Sequence, residues 1–396
     1  MTIRLAKRMD VLKASEIREI LKVTVRPEVI SFAGGLPAPE LFPIEDIRRA
    51  ANAVLDRSGR EVLQYSPTEG HLPLREAIAQ RLRRDGLELT PAEILITSGS
   101  QQGLDMTAKL LLDEGDVVLC ESPTYIGMIQ AFSVFRPRFV EVATDDDGLI
   151  PEDLEHKLRE FPQAKVLYAI PSFQNPSGRS WTAPRRHDCM RVASQHGLLV
   201  LEDNPYGELI FEGEPMPLLK AIDRDGLVLY LGTFSKTFCP GLRIAWVAGP
   251  APLIEKYVLL KQAADLHTST FGQHLLAEYL ATCDIDANID RLRTLYRARR
   301  DAMLAAIERE FPPGIRHTHP KGGLFLWVEL PAHVNAREVL ERALTKNVAF
   351  VPGGSFFPNG GRENTLRLNY SNMPEERIAD GIQRLGEVLR ELIPAR

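Results

Sequence analysis

Between residues 92 and 250 the chain alternates short β-branched apolar runs with longer stretches of helical periodicity. That alternation predicts a mostly parallel sheet covered by helices, because parallel strands need crossover connections and each crossover helix buries a face on the sheet. The strand-like runs are EILIT (93–97), VVLCE (117–121), KVLYAI (165–170), LLVLE (198–202), LVLYLG (227–232) and LRIAWVA (242–248). Each of the first five passes directly into a small, polar or charged cluster: SGSQQG, SPTY, PSFQNPSG, DNPYG and TFSK. Ligands of open α/β sheets bind beyond the carboxyl ends of the strands, so these clusters are predicted to converge on one edge.

The flanks have a different texture. Residues 1–45 begin with a short helical pattern, capped by Ser15 and striped by Ile17, Ile20 and Leu21, and continue into the Gly/Pro-rich SFAGGLPAPELFP. After residue 285 comes the charged helical stretch NIDRLRTLYRARRDAMLAAIERE, then the strand-like pieces GGLFLWVEL, VAFVPGGSFF and NTLRLNYS, and a final amphipathic helix. The expected organisation is a large domain over 46–284 and a smaller α/β domain assembled from 1–45 and 285–396. A chain of 396 residues is long for a single core.

Composition narrows the class of partner. A net charge of -5 gives no basic footprint, so neither a nucleic acid nor a membrane surface is expected, and the partner is predicted to be small. The opening MTIRLAKRMDVLKASEIREIL scatters its charges and reads as neither a signal peptide nor a membrane span, which predicts a cytoplasmic protein. Cys120, Cys189, Cys239 and Cys283 show no paired metal-ligand spacing, and the histidines of HTHP and DLHT lack a ligand set. Reduced thiols and no metal are expected.

The stretch LYLGTFSKTFCPGLRIAWVAG (229–249) carries Lys236 and Arg243 into what otherwise reads as core. Either cation alone is explained by a stem that lies on apolar surface while its head stays wet. The other clusters add further demands. TSGSQQGLDMTAKLL is a strand end, a turn and a helix start, so the N–H groups of Gly99, Ser100 and Gln101 would face an anion; alone, the pattern is equally a capped helix. Arg243 would supply charge to such an anion, and Thr233 and Ser235 hydroxyls. Asp203, in LEDNPYG, ends an apolar strand and needs a cationic partner unless it caps a helix.

Pyridoxal phosphate combines a phosphate, a cationic ring nitrogen, a ring hydroxyl and an aldehyde that condenses with a lysine. Lys236 would hold the aldehyde, Asp203 the ring nitrogen, Asn175 and Tyr206 the ring oxygen, and Tyr125 would stack on the ring. The motifs FAGGLP, QYSPTEG, TSGSQQ, IPSFQNPSG, EDNPYG, GTFSKTFCPGLRIAW and NTLRLNYS resemble those of the class I/II aminotransferases, fold type I pyridoxal-phosphate enzymes, over nearly the whole chain. Within that family the chain most resembles the 2-aminoadipate (kynurenine II-like) subgroup.

The resemblance implies a large domain with a mostly parallel seven-stranded sheet, and a ping-pong transfer of an amino group from an L-amino acid (2-aminoadipate, branched-chain or aromatic) to 2-oxoglutarate. It makes Lys236 the Schiff-base lysine and the general base and acid, Asp203 the ring-nitrogen acid, and Asn175 and Tyr206 the ring-oxygen partners. Ser100, Gln101, Ser235 and Arg243 match the phosphate cup. Tyr65 matches a tyrosine that reaches the neighbouring subunit's phosphate, which implies a homodimer with shared sites. Arg367 matches the arginine that grips the substrate carboxylate, and Gly35 the glycine segment beside it. Thr233 stands where a serine is common, and its hydroxyl survives.

Arg18 is either a solvated surface arginine or, as the subgroup implies, a partner for a distal substrate carboxylate. Two rival functions share the pattern. A regulator of the MocR type would need a DNA-binding module before the first helix, where none is expected. A lyase or decarboxylase would use the same Lys236, Asp203 and Arg367, because the cofactor sets the chemistry.

Overall fold

The computed structural model describes residues 3–12, 20 and 26–393. The pattern assigned to the first helix lies outside them except for Ile20, which is helical and buried, and Arg18 lies outside them as well.

A two-residue strand, β1 (Ile30–Ser31), precedes the large sheet. That sheet holds β2 (Ile94–Thr97), β3 (Val117–Ser122), β4 (Arg138–Asp145), β5 (Gly148–Leu149), β6 (Val166–Ala169), β7 (Leu199–Asp203), β8 (Val228–Thr233) and β9 (Ala245–Ala248), in the spatial order β2-β9-β8-β7-β6-β3-β4-β5. The run from β8 to β4 is parallel throughout, β9 lies antiparallel between β8 and β2, and the short β5 is antiparallel to β4. Seven strands of normal length match the expectation, and β5 adds an eighth of two residues.

All residues of β6 and β8 are buried, as expected for central parallel strands covered on both faces and therefore written as unbroken apolar runs. β4 was absent from those runs. It lies near the sheet margin, buries Val140 and Val142, and carries polar residues between and around them.

The second part of the fold is an antiparallel sheet in the order β10 (Arg316–His317), β11 (Phe325–Glu329), β14 (Thr365–Asn369), β13 (Val351–Pro352). β12 (Val348–Ala349) pairs in parallel with β1, Ile30 opposite Val348. The Asn369 N–H then donates to Phe32 O at 2.9 Å, so the FAGGLP segment is pinned between the two C-terminal strands. One apolar cluster runs unbroken from Ile30 and Phe32 through Val118 and Leu229 to Leu366 and Leu385, joining both sheets. Among the described residues, no helix is long and apolar enough to cross a membrane.

Candidate active site

Asp203 is the last residue of β7, in register with Leu231 of β8, and is 2% exposed. Its Oδ2 accepts the Tyr168 hydroxyl at 2.8 Å, while its Oδ1 is buried without any partner. Burial pushes the carboxyl up to about 7, and the Tyr168 hydrogen bond pulls the other way. A buried carboxylate with one bare oxygen is expensive unless a cation completes it.

Lys236 follows β8 by three positions. Its Nζ donates to Gly35 O at 2.8 Å. Burial first, then the cations Arg367 and Arg243, push its amine down to about 8, so a substantial fraction is neutral near physiological pH. Gly35 has no room for a side chain, since a Cβ would stand 2.7 Å from Cζ of Phe325.

Arg367 projects from the middle of β14 and is 2% exposed. Nη1 donates to Asn175 Oδ1 at 2.8 Å and Nη2 to Ala33 O at 2.6 Å, while Nε is buried without a partner. The guanidinium carbon stands 4.2 Å from the Phe325 ring centroid and 5.1 Å from that of Phe356. The Asn175 amide in turn donates to the Tyr206 hydroxyl at 3.4 Å, and Tyr206 meets Phe325 edge-on. Burial raises the Tyr206 phenol far above its ordinary value, so the hydroxyl stays protonated and can donate. Tyr125 is raised by burial and by Asp203 and lowered by Arg367 and Arg243, which puts its phenol within the field of all three.

The anion cup forms where β2 turns into the Ser100–Leu111 helix. Gly99 adopts φ +89°, and a Cβ there would stand 2.1 Å from Arg243 Nη2, so only glycine lets that guanidinium lie against the turn. The Ser100 hydroxyl is buried and unpartnered. Arg243 has left-handed backbone (φ 55°), and its Nη1 reaches only Pro240 O, at 3.3 Å. Thr233 Oγ1 accepts the Ser235 N–H at 3.1 Å and lies 3.0 Å from Ser235 Oγ. Unpaired N–H groups of a helix start, a bare hydroxyl and an arginine together suit a phosphate.

Of the described residues singled out in the sequence, two are placed differently from the rest. The Gln101 side chain turns aside and donates to Gly127 O at 2.8 Å, which leaves only its backbone N–H for the cup. Tyr65 is 78% exposed and stacks edge-on against His267, outside this buried cluster. Arg18 is not among the described residues. Four groups were missed: Tyr168, the carbonyl of Ala33, Phe325 and Phe356. Tyr168 did leave a signal, since a phenol inside a wholly apolar central strand needs a partner for its hydroxyl.

An α/β sheet whose strand ends gather a lysine, a half-bare acid and an anion cup, closed over by a buried arginine, is the framework of a transaminase. Residues 28–385 match the family model for aminotransferase class I and II, and the chain belongs to that family. It is 47% identical to the 2-aminoadipate transaminase of Thermus thermophilus over 96% of this chain and 95% of that one. It is 44% identical to aromatic-amino-acid aminotransferase 1 of Thermococcus litoralis, over 96% of this chain and 92% of that one. A crystal structure of Pyrococcus horikoshii kynurenine aminotransferase, in complex with PMP, superimposes with a TM-score of 0.95 at 41% identity, over 99% of this chain and 98% of that one.

Proposed function

We propose that the protein is a pyridoxal-phosphate-dependent aminotransferase that moves the amino group of an L-amino acid onto 2-oxoglutarate in two alternating half-reactions. The observation that carries this reading is the bare, buried Oδ1 of Asp203, on the same strand-end edge as Lys236 and the Gly99–Arg243 cup. When bound, pyridoxal phosphate supplies an aldehyde for amine exchange and a cationic ring that draws off the electron pair left at the substrate Cα.

The protein's own groups do the rest. Asp203 keeps the ring nitrogen protonated, because the neighbouring charge is what returns its carboxyl to the ionised form. Asn175 and Tyr206 hold the ring oxygen. Gly99, Ser100, the Gln101 N–H, Thr233, Ser235 and Arg243 hold the phosphate. Arg367 takes the substrate carboxylate, with Gly35 beside it, and Lys236 Nζ removes the Cα proton as general base and returns a proton as general acid. Relatives named for 2-aminoadipate and for aromatic amino acids support donors of those kinds, and branched-chain amino acids are the further donors proposed. The working form in this reading is a homodimer with shared sites, and the exposure of Tyr65, which leaves it free to reach the cup of a second copy, supports it. The large domain spans 46–284, the small one 1–45 with 285–396, and the protein works in the cytoplasm.

The test is the visible spectrum of the cofactor-loaded protein, with 2-aminoadipate, leucine, an aromatic amino acid and glutamate added separately, followed by 2-oxoglutarate. Loss of the visible band with a donor, and its return with the oxo acid, supports both half-reactions and ranks the donors. A loaded protein that no donor bleaches overturns the assignment.

A further inference from the structure

Beside the anion cup lies a polar cluster, buried at Lys261 and exposed at Asp265, that the proposed chemistry does not use. Lys261, on the Ala251–Ala264 helix, is 0% exposed. Its ammonium donates to Gln102 Oε1 at 2.8 Å and to Asp265 Oδ1 and Oδ2 at 2.8 and 2.9 Å, so its donors are taken up by these two side chains. Gln102 Oε1 also accepts the Ser98 backbone N–H at 2.8 Å, and Gln102 Nε2 donates to Asp265 Oδ2 at 2.7 Å. The Ser98 hydroxyl donates to the same oxygen at 3.0 Å. Residues 98 and 102, which bracket Gly99, Ser100 and Gln101, are thus both held from behind by one ion pair.

The arrangement is poorly explained by stability alone. Taking the Lys261 ammonium out of water costs several kcal/mol, and its partner Asp265 is itself still exposed, so an apolar side chain in place of Lys261 would serve the core as well or better. The residue that follows the pair has a backbone conformation away from the usual preference. Leu266, directly after Asp265, has φ +64°, and its N–H closes the helix end onto Lys261 O at 3.1 Å. A non-glycine residue persists there only where its surroundings over-determine it. What the cluster does over-determine is the path of the chain from Ser98 to Gln102.

We propose that Lys261, acting through Asp265 and Gln102, is a positioning residue for the cofactor phosphate: it holds the Gly99–Gln101 turn in the shape whose N–H groups and Ser100 hydroxyl converge on the anion. This rests on the pyridoxal-phosphate reading above. Lys261 works by geometry rather than by charge, because Asp265 neutralises it at contact distance.

The test uses full-length protein stripped of cofactor and titrated, by visible absorption, with pyridoxal 5'-phosphate and separately with pyridoxal, which lacks the phosphate. In Lys261→Met the dissociation constant for pyridoxal 5'-phosphate should rise about tenfold or more, the range seen when an outer-layer partner of a binding group is removed. The constant for pyridoxal should stay within about twofold, and kcat at saturating cofactor within about threefold, because the groups that touch ring and substrate are unaltered. Unchanged affinity for the phosphorylated form, or equal losses for both aldehydes, overturns the proposal. If Lys261→Met does not fold, Gln102→Leu removes the bond to the Ser98 backbone N–H while leaving the ion pair and its bond from the Ser98 hydroxyl in place, and the same phosphate-selective loss is required of it. A wild-type chain that takes up neither aldehyde removes the proposed function itself, whereas a wild type that binds and a variant that binds equally well removes only the role of Lys261.

Discussion

The Arg367 guanidinium donates to Asn175 Oδ1 at 2.8 Å, across 192 positions of sequence. This bond joins the middle of the small sheet to the loop after β6, and it orders the site. Asn175 accepts from Arg367 through its oxygen, so its amide nitrogen is left to donate to the Tyr206 hydroxyl. Arg367, Asn175 and Tyr206, the groups proposed to hold the substrate carboxylate and the ring oxygen of the cofactor, thereby belong to one hydrogen-bonded frame.

Arg367→Lys keeps the charge but loses the planar fork and the stacking between Phe325 and Phe356. The expected result is a rise in KM for both donor and oxo acid, with kcat/KM lower by about 10²-fold, or roughly 3 kcal/mol of lost carboxylate binding. Steady-state kinetics with both substrates checks it. An unchanged KM for either partner shows that Arg367 does not hold the carboxylate.

In the cofactor-free protein, Asp203 ionises only near pH 7, against an ordinary value of 3.8. Between those values the folded state binds the extra proton, so the contribution of this group to stability falls as pH rises from about 4 to about 7. Cofactor-free Asp203→Asn has no such term. Its Tm should therefore gain on the wild type across that window by on the order of a few degrees, then level off. Loading the cofactor should reverse the ranking, because the ring cation then completes Oδ1. Thermal melts of both proteins from pH 4 to 8, with and without cofactor, decide it.

Gly99→Ala places a Cβ 2.1 Å from Arg243 Nη2 at a backbone angle of +89°. The strained turn should cost about 1 kcal/mol of stability, and the displaced guanidinium should weaken cofactor binding about tenfold or more. Cofactor titration measures the second effect apart from the first. If affinity is retained, Arg243 is not part of the cup.

Lys236 titrates near 8 in the folded chain, against 10.5 ordinarily, because burial and then Arg367 and Arg243 oppose its charge. Between those values the unfolded chain holds the extra proton, so stability rises with pH across that range. Reductive methylation of Lys236 in cofactor-free protein should follow a midpoint near 8. Arg367→Met removes the second cause but not the first, so the midpoint should move up yet stay below 10.5. A midpoint that does not move would mean that the two side chains do not share a field.

Much of the site was legible because it is punctuated by local signals. Asp203 ends its apolar run, Lys236 follows its run within a short polar cluster, and Gly99 stands at a strand-to-helix turn, so periodicity and turn residues located all three. β4 escaped the same method because its marginal position lets charged residues alternate with Val140 and Val142, which blurs the apolar signal. The Gln101 side chain was assigned to the cup from its place in the motif, and its rotation toward Gly127 depends on a helix from another part of the chain.

Other groups left little or nothing to read. Tyr168 meets Asp203 only because β6 lies beside β7 in a register that puts Tyr168 opposite Leu201. Lys261 and Asp265 look in sequence like the polar face of a surface helix, yet one is completely buried. The sequence by itself determined which chemical groups stand at strand ends and helix starts, because those are set by periodicity and turn residues within a few positions. Only the tertiary structure decided which of them share an oxygen, which lose water and which stay bare, because hydrogen bonding and desolvation depend on distance in space between residues far apart in the chain.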